Sequence, residues 1–128
     1  MQEGFGKVLR PLAALGALGW MGVIFWLSAQ PDLPSPVELP YGDKLSHFTA
    51  YGILSSLYLL SMRRSGGYTL GQVLLAAGLA TLYGVSDEWH QSFVPGRSPD
   101  LWDVVADASG ALAAAFFLRW LLSPRPSV

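Results

Sequence analysis

The sequence predicts an all-α protein, a four-helix transmembrane bundle whose N and C termini are both cytoplasmic. Two observations carry the fold class: 52% of the 128 residues are hydrophobic against 13% charged, and the apolar residues fall into four runs, each near the ~20 residues that cross a bilayer as a helix. A third, the placement of Lys and Arg, carries the orientation, because cytoplasmic flanks accumulate basic residues. The whole chain, residues 1–128, reads as one domain.

The first run covers about residues 11–29 and is stopped by the proline-rich stretch 30–36, since proline cannot continue a helical hydrogen-bond ladder. It exceeds the ~7–15 apolar residues of a secretory signal. The second covers about residues 45–62 and ends at Arg63-Arg64-Ser65-Gly66-Gly67; the third covers about 69–86 and the fourth about 101–122. Lys7 and Arg10 precede the first helix, Arg63 and Arg64 join the second to the third, and Arg119 and Arg125 close the fourth, so six of the eight basic residues share one side. The loops on the other side, about residues 30–42 and 89–100, then lie at the outer surface. Trp26, Trp89 and Trp102 fall near that interface and Trp120 near the inner one, as aromatic belts require.

Packing follows from the small residues, because membrane helices associate through close backbone approach and not through exclusion of water. On helix three Ala76, Ala80 and Gly84 form a row that continues into Glu88; on helix four Ala115 and Ala111 run back into Asp107 and Asp103. Both rows lead carboxylates into a helix contact. Helix two carries His47, Tyr51, Ser55 and Tyr58 at helical spacing with Asp43 one turn earlier, a polar stripe that is costly against lipid and should face the other helices. Helix one, with Gly16, Gly19 and Gly22, reads as a packing element without a chemical role.

The functional signal is the clustering of polar residues at the ends of these runs. Asp43, Lys44, His47, Asp87, Glu88, His90, Gln91, Arg97, Asp100, Asp103 and Asp107 include both histidines and six of the nine acids. A charge near the bilayer centre costs ~2.5–3.5 kcal/mol on insertion scales, so function is the default explanation for such clustering. Some members have simpler accounts. Asp43 and Asp100 stand where helix N-caps would, residues 95–99 have turn chemistry, and Arg97 would serve as a partner for a carboxylate or a headgroup. Lys44, His47, Tyr51 and His90 would also serve as interfacial residues with satisfied side chains. Asp87, Glu88, Asp103 and Asp107 resist this treatment, because one Arg and one Lys cannot neutralise them all; protons, a metal or a cationic ligand is needed. With no cysteine, a metal would be held by carboxylates and imidazoles. No dense basic stripe is present and the net charge is −1, which excludes a nucleic-acid partner.

The segments Asp43-Lys44-Leu45-Ser46-His47-Phe48-Thr49-Ala50-Tyr51-Gly52 and Asp87-Glu88-Trp89-His90-Gln91-Ser92-Phe93-Val94-Pro95-Gly96-Arg97, followed by Asp103, Asp107 and Gly110, resemble the VanZ-like membrane protein family. The resemblance covers helix two onward and implies a small integral membrane protein of about four helices; the family's name-giving member is linked to resistance to teicoplanin-type glycopeptides. It implies no reaction. At Asp107 the family pattern usually has Asn, so this chain brings an extra carboxyl into the bundle.

Three functions compete. In the first, an outward pocket of Asp43, Lys44, His47, Tyr51, Asp87, Glu88, His90, Gln91, Arg97, Asp103 and Asp107 binds a lipid headgroup, a cell-wall precursor or a lipoglycopeptide, with Arg97 and Lys44 holding phosphate or carboxylate. In the second, a membrane-embedded enzyme acts on a phospholipid or polyprenyl phosphate. Glu88 or Asp103 is then general base, His47 or His90 acid or metal ligand, and Arg97 the charge stabiliser, with His47, Glu88 and Asp103 as the candidate ligands of a divalent cation. The third, a proton-coupled carrier, is disfavoured because the charges gather at one surface instead of lining a path, and four short helices would need a homo-oligomer.

Overall fold

The computed structural model describes residues 2–31 and 41–124. Residues 32–40, most of the expected first outer loop, and Arg125 lie outside the described residues. Four α-helices follow one another: α1 Gln2–Ser28, α2 Gly42–Ser61, α3 Leu70–Gln91 and α4 Leu101–Leu122. Three of them, α1, α3 and α4, are long and apolar enough to cross a membrane. α2 is not among these, and its place in the bundle explains why. It packs against α4, α1 and α3 in turn, so it is the central helix and can carry polar side chains that a lipid-facing helix could not. The hydroxyls of Ser46, Thr49 and Ser56 donate to the carbonyls of Gly42, Leu45 and Gly52 one turn back, which satisfies them within the helix.

The boundaries correct the sequence expectation in three places. α1 starts nine residues before the expected Pro11, which it accommodates inside the helix. α2 starts at Gly42, three residues early, so Asp43 and Lys44 sit in its first turn. Its N-cap is Tyr41, in the left-handed region at φ 65°, and Asp43 is not the cap. α3 continues five residues past the expected Ser86, so Asp87, Glu88, Trp89, His90 and Gln91 are helical. This last correction matters most for the site. Helical geometry stacks Asp87 over Gln91, and the Gln91 amide donates to the Asp87 carboxylate at 3.1 Å. α3 begins with a capping box in which the Thr69 hydroxyl accepts from the Gln72 backbone N–H and the Gln72 side chain accepts from the Thr69 N–H.

The small-residue rows pack as expected. Ala76, Ala80, Ala111 and Ala115 are fully buried, and a Cβ on Gly84 would meet the Asp107 carboxylate. α2 and α4 approach more closely still: a Cβ on Gly52 would stand 3.2 Å from the Gly110 carbonyl oxygen, and one on Gly110 would overlap the Phe48 backbone. On α1 only Gly16 faces a neighbour, the Leu57 side chain at 3.4 Å from a Cβ there, whereas Gly19 and Gly22 meet open space. The buried face of α1 is Ala13, Ala17, Ile24 and Ser28. Leu12, Leu15, Leu18, Leu82 and Phe117, with Trp26, Trp89, Trp102 and Trp120, are exposed on the bundle surface, the distribution of an apolar exterior.

Candidate functional site

At one end of the bundle the first turns of α2, the last turns of α3, the start of α4 and the end of α1 converge. Six polar or charged residues there are buried in an otherwise apolar protein: Ser28, Asp87, Glu88, Gln91, Asp103 and Asp107. Helical spacing aligns the carboxylates: Asp103 and Asp107 are one turn apart on α4, and Glu88 lies one turn beyond Gly84, the glycine that lets α3 approach Asp107.

His47 occupies the centre. Its Nδ1 lies 2.8 Å from Asp107 Oδ1, a hydrogen bond in which Nδ1 donates when the Asp107 carboxyl is ionised. Nε2 then faces Asp103 Oδ2 at 3.6 Å. Glu88 is fixed from the other side: its Oε2 accepts the Asp100 backbone N–H at 2.8 Å, while Oε1 is buried and makes no hydrogen bond among the described residues. Asp107 Oδ2 and the Tyr51 hydroxyl are also buried without a hydrogen-bond partner among the described residues. An unpaired buried polar group costs about 1–3 kcal/mol, more if charged, so this convergence of orphans calls for a proton, a water or a cation.

Lys44 bridges the rim. Its ammonium donates to Asp43 at 2.9 Å, Asp100 at 2.7 Å and Asp103 at 2.5 Å. The Lys44 hydrogen bond holds the Asp100 carboxyl below the usual carboxylate range, helped by the Trp102 N–H, which Asp100 caps at 2.9 Å. The same ammonium lowers Asp43. Lys44 is therefore engaged by three carboxylates of its own chain. Arg97 is half-buried, its guanidinium 3.5 Å from the Gln30 carbonyl oxygen.

A second polar knot lies beside the first. The Ser28 hydroxyl donates to Asp87, and the Gln91 amide donates to both Asp87 Oδ2 and Ser28 Oγ, at 3.1 and 3.2 Å. Helix one thus contributes a side chain to the site, beyond the packing role expected of it. The signal for Ser28 was weak, since a serine in an apolar helix commonly bonds its own backbone. His90 goes elsewhere: its ring stacks on Phe25 of α1 at 4.5 Å, with Nδ1 buried and without a hydrogen bond among the described residues. Tyr51 lies under His47, its ring parallel to the imidazole at 6.1 Å, and Ser55 and Tyr58 continue the stripe by donating to the Ala111 carbonyl and the Met21 sulfur.

His47, Glu88 and Asp103 each offer a ligand atom within 4.8 Å of the others. The structure thus brings together His47, Asp87, Glu88, Gln91, Asp103 and Asp107, sets Asp43, Lys44 and Arg97 around them, and separates His90. Two cavities lie away from this cluster. One of about 660 Å³ is lined by Lys7, Arg10, Arg63, Arg64 and Tyr68 at the opposite end, and one of about 490 Å³ lies along the apolar face of α2 and α4.

The VanZ/LLP1 family model matches residues 9–122. No curated protein and no solved structure matches the chain.

Proposed function

Because the chain belongs to the VanZ/LLP1 family and three of its helices are apolar and long enough to span a membrane, we propose that it is a cell-envelope binding or accessory protein. Its polar end engages the headgroup of a lipid, a cell-wall precursor or a lipoglycopeptide, and so alters susceptibility to teicoplanin-type antibiotics. The observation that carries this reading is the convergence of polar side chains from all four helices at one end of an apolar bundle. Such intramembrane polar clusters are expensive and are retained for function. The ligand meets the exposed rim of Asp43 and Asp100 with Arg97, while the buried carboxylates behind it fix the geometry.

In this reading α2 spans the membrane with the others, the polar end faces outward and both termini are cytoplasmic. The support is the gathering of Lys7, Arg10, Arg63 and Arg64 around one cavity at the opposite end. The native chain has no cysteine, so single substitutions report topology cleanly. Ser98→Cys should react with a membrane-impermeant maleimide in intact cells and Ser65→Cys only after lysis; the reverse pattern refutes the orientation.

The functional test compares teicoplanin susceptibility of cells carrying an empty vector, the parent chain, Glu88→Gln and Asp103→Asn at matched membrane abundance. Protection by the parent, lost in both variants, is the expected result. Equal susceptibility of parent and empty vector overturns the resistance role. A second reading, a membrane-embedded enzyme acting on a phospholipid or polyprenyl phosphate, is favoured by one observation, the approach of His47 to two carboxylates of different helices. In it Glu88 or Asp103 acts as general base and His47 as its partner, and turnover of labelled lipid by the purified protein is its signature.

A further inference from the structure

We propose that His47, Glu88 and Asp103 form the binding site of a divalent transition-metal ion, resting on the reading of this end of the bundle as a ligand site. The argument lies in how each side chain is held. His47 uses Nδ1 on Asp107, leaving Nε2. Glu88 uses Oε2 on the Asp100 N–H, leaving the buried Oε1 without a partner. Asp103 uses Oδ1 on Lys44, leaving Oδ2 without a hydrogen bond among the described residues. In all three, one polar atom is tethered and the other is free, and the three residues offer ligand atoms within 4.8 Å of one another.

This is the anatomy of a metal site with its outer shell in place. A metal-ligating imidazole characteristically donates its other N–H to a carboxylate, which fixes the ring and raises its basicity. Asp107 does this for His47 at 2.8 Å. The 3.6 Å between His47 Nε2 and Asp103 Oδ2 is close to the ~3.3 Å between two donors in a tetrahedral shell with bonds of about 2.0–2.1 Å. The charge pattern agrees: Glu88, Asp103 and Asp107 are buried carboxyls, and the nearest ammonium, Lys44, is shared with the rim residues Asp43 and Asp100. Glu88 is the decisive member. A carboxylate 93% buried with one oxygen unsatisfied is stabilised by a cation placed against that oxygen.

One imidazole and two carboxylates select Zn²⁺ or Mn²⁺ over Mg²⁺ and Ca²⁺, which prefer all-oxygen shells. Three protein ligands leave a coordination position open, and an ion there would present positive charge to a phosphate or carboxylate at the rim, a task Lys44 cannot perform while it is bound to three acids.

The test uses the full chain purified in detergent, stripped with chelator, loaded with Zn²⁺ alone or Mn²⁺ alone, gel-filtered and analysed for bound metal. The expected result is roughly one ion per chain, as a three-ligand site holds, undiminished by excess Mg²⁺ and accompanied by a rise in melting temperature. Glu88→Gln and His47→Gln should lose the ion, and Asp43→Asn should keep it. Asp107→Asn should weaken binding about ten- to a hundred-fold, the usual effect of removing an outer-shell partner. Absence of both retention and thermal shift in the parent overturns the proposal, whether or not the variants fold. So does equal retention by the parent, Glu88→Gln and His47→Gln. The assay needs neither antibiotic nor cell, so its failure leaves the envelope role standing, and loss of the envelope role leaves a measured metal content intact.

Discussion

The two ends of the bundle treat their charges in opposite ways. At the basic end Lys7, Arg10 and Arg64 are exposed, and the guanidiniums rest on groups that carry no charge: Arg10 on the Ser61 carbonyl, Arg119 on the Tyr68 carbonyl, Arg63 over the Phe5 ring. At the carboxylate end Asp87, Glu88, Asp103 and Asp107 are buried, and Lys44 ties α2 to two residues at the start of α4. Charges that stay in contact with water need no partners. Charges drawn into an apolar interior must find them, and the ones that do not are where chemistry can happen. In the proposed topology the basic end sets the orientation and the carboxylate end carries the function.

This contrast is broken most severely at His47. Replacing it with Leu leaves Asp107, fully buried, without its partner, and removing one member of a buried pair costs about 3–5 kcal/mol. Denaturant unfolding in detergent should show a loss of that order. Lys44→Met should cost about 1–3 kcal/mol, since three charge-assisted hydrogen bonds vanish from a partly exposed site. Arg63→Ala at the other end should stay within about 0.5 kcal/mol, as surface substitutions do. Equal losses for Lys44→Met and Arg63→Ala would erase the distinction between the ends.

The smallest effect is the pH dependence of the rim. Lys44 lowers the folded-state pKa of Asp100 and Asp43 below the unfolded value, so their stabilisation is present above the ordinary carboxylate range near ~4 and is lost as pH falls through the lowered values. The melting temperature of the parent should therefore drop below about pH 4 more steeply than that of Lys44→Met. Parallel curves would show that the rim carboxylates do not draw on Lys44.

Much of this was legible before the fold. Asp43, Lys44, His47, Asp87, Glu88, Asp103 and Asp107 stand out because charges are rare in so apolar a chain, and their spacing predicts which share a helix face. The Asp100 cap was legible too, and the Thr69-to-Gln72 capping box had a readable signature that the expected start at Thr69 did not use. Ser28 and His90 were not legible. A serine near the end of an apolar helix has many uses, and only the approach of α1 to α3 gives it Asp87. His90 is one residue from Gln91 in sequence, yet the turn of the helix points it toward Phe25 and away from His47.

The sequence by itself determined the class of the protein, an all-α bundle of four helices with its small residues at the contacts, because the length and polarity of each run and the size of each interface residue are local properties. Only the tertiary structure decided that α2 is central, that Lys44 is engaged by carboxylates of its own chain, and that His47, Glu88 and Asp103, from three helices, offer ligand atoms within 4.8 Å of one another. The physical reason is that a hydrogen bond is spent or spare according to which neighbour arrives from another helix. That arrival depends on how closely two backbones pack at positions such as Gly84 and Gly110.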